Sequence, residues 1–133
     1  MDEKVTGIGG IFFKSPDPKK ACAWYDKHLG IQFGEQTYRS FQWKEQETGE
    51  QGSTVFSFFK NETTYLDPSK SPFMINFRVK NLDSLLSQLQ SEGVTIVGEP
   101  QTYSYGKFAW ILDPDGNKIE LWEPIEAGFS EEG

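Results

Sequence analysis

The chain has 133 residues, one cysteine (Cys22), one histidine (His28) and a net charge of −7 from 20 acidic and 13 basic side chains. That size suits a single domain with a real core. One cysteine excludes an intrachain disulfide and any cysteine-built zinc site, and the acidic balance argues against nucleic acid or an anionic membrane as the main partner.

Residues 5–14 read as a strand rich in β-formers, with Ile11 and Phe13 on one side and Gly10 and Phe12 on the other. Asp17 is a good helix N-cap and Pro18 suits the first helical position. The helix runs to about residue 28, with Ala21, Trp24, Tyr25 and Leu29 at helical spacing, and Gly30 ends it. Strands are expected over 31–34, 38–44 and 54–59, with a polar turn at 45–52. Residues 61–71, with Asp67-Pro68 inside and Pro72 directly after, read as a linker or long loop.

The order then repeats. Residues 73–79 form a strand, and 81–91 a helix with Leu82, Leu85, Leu86 and Leu89 on one face. Gly93 caps it. Strands follow at 94–97, 108–112 and 118–123, the last two joined by the turn Asp113, Pro114, Asp115, Gly116. Residues 127–133 read as a loose acidic tail. No apolar run approaches the roughly 20 residues of a membrane span. The first residues, Met1-Asp2-Glu3-Lys4, have no apolar signal region. A soluble, reducing, cytoplasmic setting is the expectation.

The repeat is open to arithmetic. Adding 64 takes Ile11 to Ile75, Phe13 to Phe77, Lys14 to Arg78, Asp17 to Asn81 and Gly52 to Gly116. The helix-ending glycines are off by one, since Gly30 is followed by Gly93 rather than by a glycine at 94. The predicted fold is therefore α+β: two tandem βαβββ modules in one domain spanning residues 1–133, module one over about 5–60 and module two over about 73–124.

The sequence resembles the vicinal oxygen chelate superfamily, which includes glyoxalase I, extradiol dioxygenases, fosfomycin-resistance transferases and bleomycin-binding proteins. Three stretches carry the resemblance: Ser15-Pro16-Asp17 leading to Trp24-Tyr25 and Leu29-Gly30; residues 77–83 leading to Glu92-Gly93-Val94; and, most specific, residues 110–122 around Asp113-Pro114-Asp115-Gly116. The resemblance implies a cupped mixed sheet with helices on its outer face. It also implies metal ligands projecting into the cup from the first and last strand of each module. Carried over, those positions are Gly10, Phe56, Met74 and Glu120. Only Glu120 is a donor for a hard or borderline cation, and a methionine thioether suits copper(I). One carboxylate does not hold a catalytic divalent ion, so no cofactor is expected.

Alternation sorts the strands into faces. Ile11, Phe13, Ile75, Phe77, Val79, Ile119 and Leu121 are expected against the helices. Gly10, Phe12, Lys14, Phe56, Phe58, Met74, Asn76, Arg78, Lys118, Glu120 and Trp122 are expected in the cup; beside them stand either Phe108, Trp110 and Leu112, the favoured set, or Ala109 and Ile111, with Tyr103 and Tyr105 on the rim. Aromatic residues make up 15% of the chain although its mean hydropathy is −0.57. That combination suits an aromatic-lined small-molecule site. The candidate ligand-binding residues are Phe12, Phe56, Phe58, Met74, Asn76, Arg78, Tyr103, Tyr105, Trp110, Glu120 and Trp122.

Glu120 has two readings. It orients a ligand donor or takes a proton, or it is held internally by Arg78, Lys118 or a tyrosine. Lys14 and Arg78 either clamp an anion or snorkel to the sheet edge. The expected function is metal-independent binding of a small aromatic or amphipathic molecule, with bleomycin-type drug sequestration as one version. The alternative is a glyoxalase-like lyase or isomerase, or a dioxygenase-like enzyme, using Glu120 as base or an unorthodox metal site. A homodimer is expected.

Overall fold

The computed structural model describes residues 5–46 and 48–125; the tail predicted at 127–133 lies outside them. The elements are β1 (Val5–Ser15), α1 (Pro18–Leu29), β2 (Tyr38–Lys44), β3 (Gln51–Lys60), β4 (Phe73–Val79), α2 (Leu82–Ser91), β5 (Gln101–Tyr103), β6 (Gly106–Leu112) and β7 (Lys118–Pro124). They build one seven-stranded mixed sheet in the order β2-β3-β1-β4-β7-β6-β5. The fold is α+β, as expected.

Both helices begin as the sequence dictates. The Asp17 carboxylate accepts from the Lys20 N–H at 3.2 Å, and the Asn81 side chain accepts from the Ser84 N–H at 3.0 Å. Each satisfies a donor that the first turn leaves orphaned. Gly30 ends α1 in the left-handed conformation, at φ 71°. In α2 the left-handed residue is Gly93, one past the cap Glu92.

β1 and β4 pair antiparallel at the centre, with Ile11 opposite Ile75. Because 64 separates those two residues, the axis relating the modules passes between them. On the helix side α2 covers a core of Val79, Leu82, Leu85, Leu86, Ala109 and Leu121. α1 covers a separate one of Cys22, Phe33 and Phe58, edged by Tyr25, Ile31 and Phe56. Cys22 is buried there, and burial pushes its thiol pKa up.

Two predicted strands fail. Residues 31–34 are irregular: β2 already fills the place beside β3, and Phe33 leaves the backbone path to plug the core under α1. Residues 94–97 contribute a single bridge, Ile96 to Ile111. Gly98, at φ 70°, and Pro100 then redirect the chain, so the edge strand is β5. Module two keeps three strands after its helix, and module one keeps two.

Candidate functional site

Register decides which side chains enter the cup. Phe12 lies opposite Met74 and Ser57, Gly10 opposite Asn76 and Val55, Asn76 beside Glu120, and Glu120 opposite Trp110. Phe12, Met74, Asn76, Arg78, Trp110, Glu120 and Trp122 therefore share the concave face, as predicted. Phe56 and Phe58 do not. They pair with Ile11 and Phe13 and lie on the α1 side, where the Phe56 ring centre is 5.3 Å from Tyr25 and 6.0 Å from Phe33. The cause is a slip of one residue. Ile11 pairs with Phe56 and Ile75 with Ile119, so the last strands are related by 63, not 64. The counterpart of Glu120 is Ser57. A slip of one exchanges every side chain between faces.

Lys14 and Arg78 cannot clamp one small ligand. Each stands three residues beyond the central Ile11–Ile75 pair on antiparallel strands, which separates them by roughly 20 Å at about 3.3 Å per residue.

Glu120 is 3% exposed and fully engaged. Asn76 Nδ2 donates to Oε1 at 2.6 Å, Trp110 Nε1 donates to Oε2 at 2.9 Å, and the Tyr65 hydroxyl also donates to Oε2. The carboxylate is thus held internally, with a tyrosine rather than Arg78 or Lys118 among its donors. The β6–β7 turn sets this alignment. Asp113 Oδ1 accepts from the N–H groups of Asp115 and Asn117, both at 2.9 Å. The Asn117 side chain, together with that backbone bond, holds the Asp113 carboxyl below the usual carboxylate range. The turn so pinned fixes Trp110 opposite Glu120.

Tyr65 and Leu66 come from residues 61–71, which sequence reasoning read as a linker. The segment is a strap across the cup. Leu66 is 0% exposed and packs with Phe12, Met74 and Trp110. The signal available was an adjacent aromatic and aliphatic pair inside an otherwise polar loop. Lys118 Nζ donates to the Tyr65 carbonyl at 2.7 Å and lies 5.3 Å from the Tyr65 ring centre. Burial, then the Glu120 charge, pushes the Tyr65 hydroxyl far above the usual phenol range, and nearby Tyr103 adds to the shift. Burial lowers the Lys118 pKa, partly offset by Glu120 and Asp67.

A second group runs along the other half of the cup. The guanidinium of buried Arg78 lies 5.5 Å from the Trp43 ring centre and 5.0 Å from that of Trp122. Trp122 stacks on Phe108 at 5.9 Å and 7°, and Phe108 meets Tyr105 and Tyr103 at 5.7 and 5.8 Å. Tyr103 and Tyr105, both exposed, stack at 5.5 Å and 12°. Glycines permit this closeness. A Cβ on Gly106, which sits at φ 148°, would collide with Trp122 Nε1, and one on Gly9 would collide with Asn76 Oδ1. Asn76 Oδ1 and, on β3, Ser53 Oγ are buried without a protein partner. An open cleft of about 970 Å³ at one end of the sheet reaches Tyr65 and Phe59 past Pro18 and Lys60, and one of about 340 Å³ at the other end reaches Arg78 and Trp43.

The family's metal site does not fit this donor set. With the register corrected, its positions hold Gly10, Ser57, Met74 and Glu120, and both Glu120 oxygens already accept hydrogen bonds. No group of three or more His, Cys, Asp or Glu suited to a metal ion occurs among the described residues.

The family profile described as Glyoxalase/Bleomycin resistance protein/Dioxygenase superfamily matches residues 7–121. No curated protein matches the chain. Among solved structures, methylmalonyl-CoA epimerase from Mycobacterium tuberculosis is 25% identical, with 91% of this chain and 89% of that one covered and a TM-score of 0.56. A variant of the Streptomyces coelicolor methylmalonyl-CoA epimerase in complex with 2-nitronate-propionyl-CoA is 18% identical, with 91% and 99% covered and a TM-score of 0.64. A superfamily member from Vibrio splendidus is 11% identical, with 91% and 98% covered and a TM-score of 0.53. These likenesses concern the fold.

Proposed function

The chain belongs to the Glyoxalase/Bleomycin resistance protein/Dioxygenase superfamily, and from that premise we propose that it binds a small aromatic or amphipathic molecule without a metal, against the aromatic wall of module two. The observation that carries this is the exposed Tyr103–Tyr105 stack, continued inward by Phe108 and Trp122. Exposed, mutually stacked rings on a concave face are a platform for a flat ligand. The unpartnered atoms of Asn76 and Ser53 mark where polar groups of a ligand or water would bond. A net charge of −7 favours a cationic ligand, by long-range attraction and by cation–π contact. Bleomycin-type drug sequestration is one version of this reading.

The enzymatic alternative, with Glu120 as base, is disfavoured because three protein donors occupy its carboxylate. The acidic balance speaks against nucleic acid and anionic membranes as partners, and the lone cysteine suits a reducing, cytoplasmic setting.

The test is a titration with acriflavine, a flat aromatic cation, followed by quenching of tryptophan fluorescence. Replacing Tyr103 and Tyr105 together by alanine should weaken binding at least about tenfold, the worth of two aromatic stacks. Unchanged affinity would overturn the reading.

We also propose a homodimer, on a separate observation. Between the two helices the seam of β1 and β4 leaves Ile8 43% and Phe13 36% exposed, with Ile11, Phe73 and Ile75 only half-buried. A second copy related by a two-fold axis would cover this face. Light scattering at micromolar concentration should give a dimer for the wild type and a monomer for Phe13→Glu; a monomeric wild type would overturn it.

A further inference from the structure

Tyr65 is an unusual partner for Glu120. Asn76 and Trp110 reach the carboxylate from the sheet itself, on β4 and β6, whereas Tyr65 reaches it from the strap. Its residue is 39% exposed, yet its hydroxyl bonds a carboxylate that is 3% exposed. The ring thus enters from outside and its tip touches bottom.

The surroundings of that ring amount to a recognition site for a phenol. Phe59 and Trp110 meet it edge-on at 5.8 and 6.1 Å, the Lys118 ammonium lies 5.3 Å from its centre, and Glu120 Oε2 accepts from its hydroxyl. An aromatic box, a cation over the ring and an acceptor at its end select a flat ring bearing an O–H or N–H donor. The protein's own side chain shows what the box accepts.

We infer that Tyr65 is an internal plug in the innermost subsite of the cup, and that the ligand of this protein carries a phenol-like ring which displaces it and donates to Glu120. This rests on the cup-binding reading above and names the chemistry of its ligand. The subsite is continuous with the proposed platform, since Trp110 and Phe108 lie two residues apart on one face of β6, as Glu120 and Trp122 do on β7. A ligand of two ring lengths would span both. Competition with the strap lowers apparent affinity by the fraction of molecules in which the plug is out.

The experiment uses p-cresol, and toluene as the same ring without the hydroxyl. Tyr65→Ala should bind p-cresol at least tenfold more tightly than the wild type does. Toluene should bind that variant at least tenfold more weakly than p-cresol, and adding Glu120→Gln, which removes the charge but keeps an acceptor oxygen, should shrink the difference between the two. Equal affinity for p-cresol and toluene, or no gain on removing Tyr65, would overturn the inference. A second measurement does not depend on the variant folding. The Asp67 and Ser69 amides bond within the strap, to the Thr64 and Leu66 carbonyls. Saturating p-cresol should speed their hydrogen exchange in the wild type at least tenfold, and unchanged or slower exchange overturns the plug. If acriflavine binding still depends on Tyr103 and Tyr105 while both p-cresol results fail, only this inference falls. If acriflavine does not bind, the broader reading falls with it.

Discussion

The two modules divide their aromatic side chains differently between the two faces of one sheet, module one keeping Phe12 and Phe59 in the cup but not Phe56 and Phe58. In module one, Phe56 and Phe58 point to α1 and join Tyr25 and Phe33, leaving Val55 and Ser57 for the cup. In module two, Ala109, Ile111 and Leu121 point to α2, and Phe108, Trp110 and Trp122 line the cup. Each arrangement suits its helix. The leucine stripe of α2 packs on aliphatic strands, while α1, with Cys22 as its one buried residue, leaves a thinner layer that large rings fill. The difference shows how a duplicated fold becomes a lopsided site: module one gives the cup Phe12 and Phe59 beside the small Ser53, Val55 and Ser57, module two gives it Phe108, Trp110 and Trp122, and Glu120 lies among them.

The sharpest break of this comparison is Phe58→Ala. On the helix side it removes a core ring and should cost about 3–5 kcal/mol, while leaving acriflavine binding per folded molecule unchanged. Denaturant melts beside the titration check it. A small stability cost with lost binding would return Phe58 to the cup.

Glu120→Gln comes next. Three donors converge on the carboxylate, and an amide turns one of its oxygens into a further donor facing them. A loss of about 1–3 kcal/mol is expected from the mismatch, read by the same melts. Stability equal to that of the wild type would mean that the carboxylate serves a ligand rather than the fold.

The smallest effect, and the most diagnostic of the strap, is Tyr65→Phe. It deletes one hydrogen bond to a charged group from a residue that is itself part-exposed, and should cost about 1.5 kcal/mol at neutral pH, the low end for such a bond. The folded-state pKa of the Tyr65 hydroxyl lies above its unfolded value near 10. Its contribution is therefore complete below about pH 10 and is lost as pH rises beyond that, because the unfolded phenol ionises first. Lys118, with its lowered pKa, acts in the opposite sense but is present in both proteins, so it cancels in the comparison. The stability gap between wild type and Tyr65→Phe should narrow above pH 10. A gap constant to pH 11 would mean that Tyr65 does not donate to Glu120.

The duplication, both helices with their caps, the α2 core and the placing of Glu120 beside Asn76, Trp110 and Trp122 were all legible in the residues alone. Those rest on local chemistry and on alternation within short, well-bounded strands. Even the register error was legible in part: Gly30 and Gly93 already differ by 63, and that step, not the 64 joining Gly52 to Gly116, carries through to β3 and β7. Tertiary structure alone decided three things. It turned Phe56 and Phe58 to the helix, because a period of two inverts on a shift of one. It gave the outermost place in module two to β5 rather than to residues 94–97, because a strand needs a free neighbour as well as a pattern. And it folded residues 61–71 over the cup, carrying Tyr65 to Glu120. A loop whose aromatic–aliphatic pair meets Trp110 and Glu120, 44 to 55 residues away, has no local period to betray it.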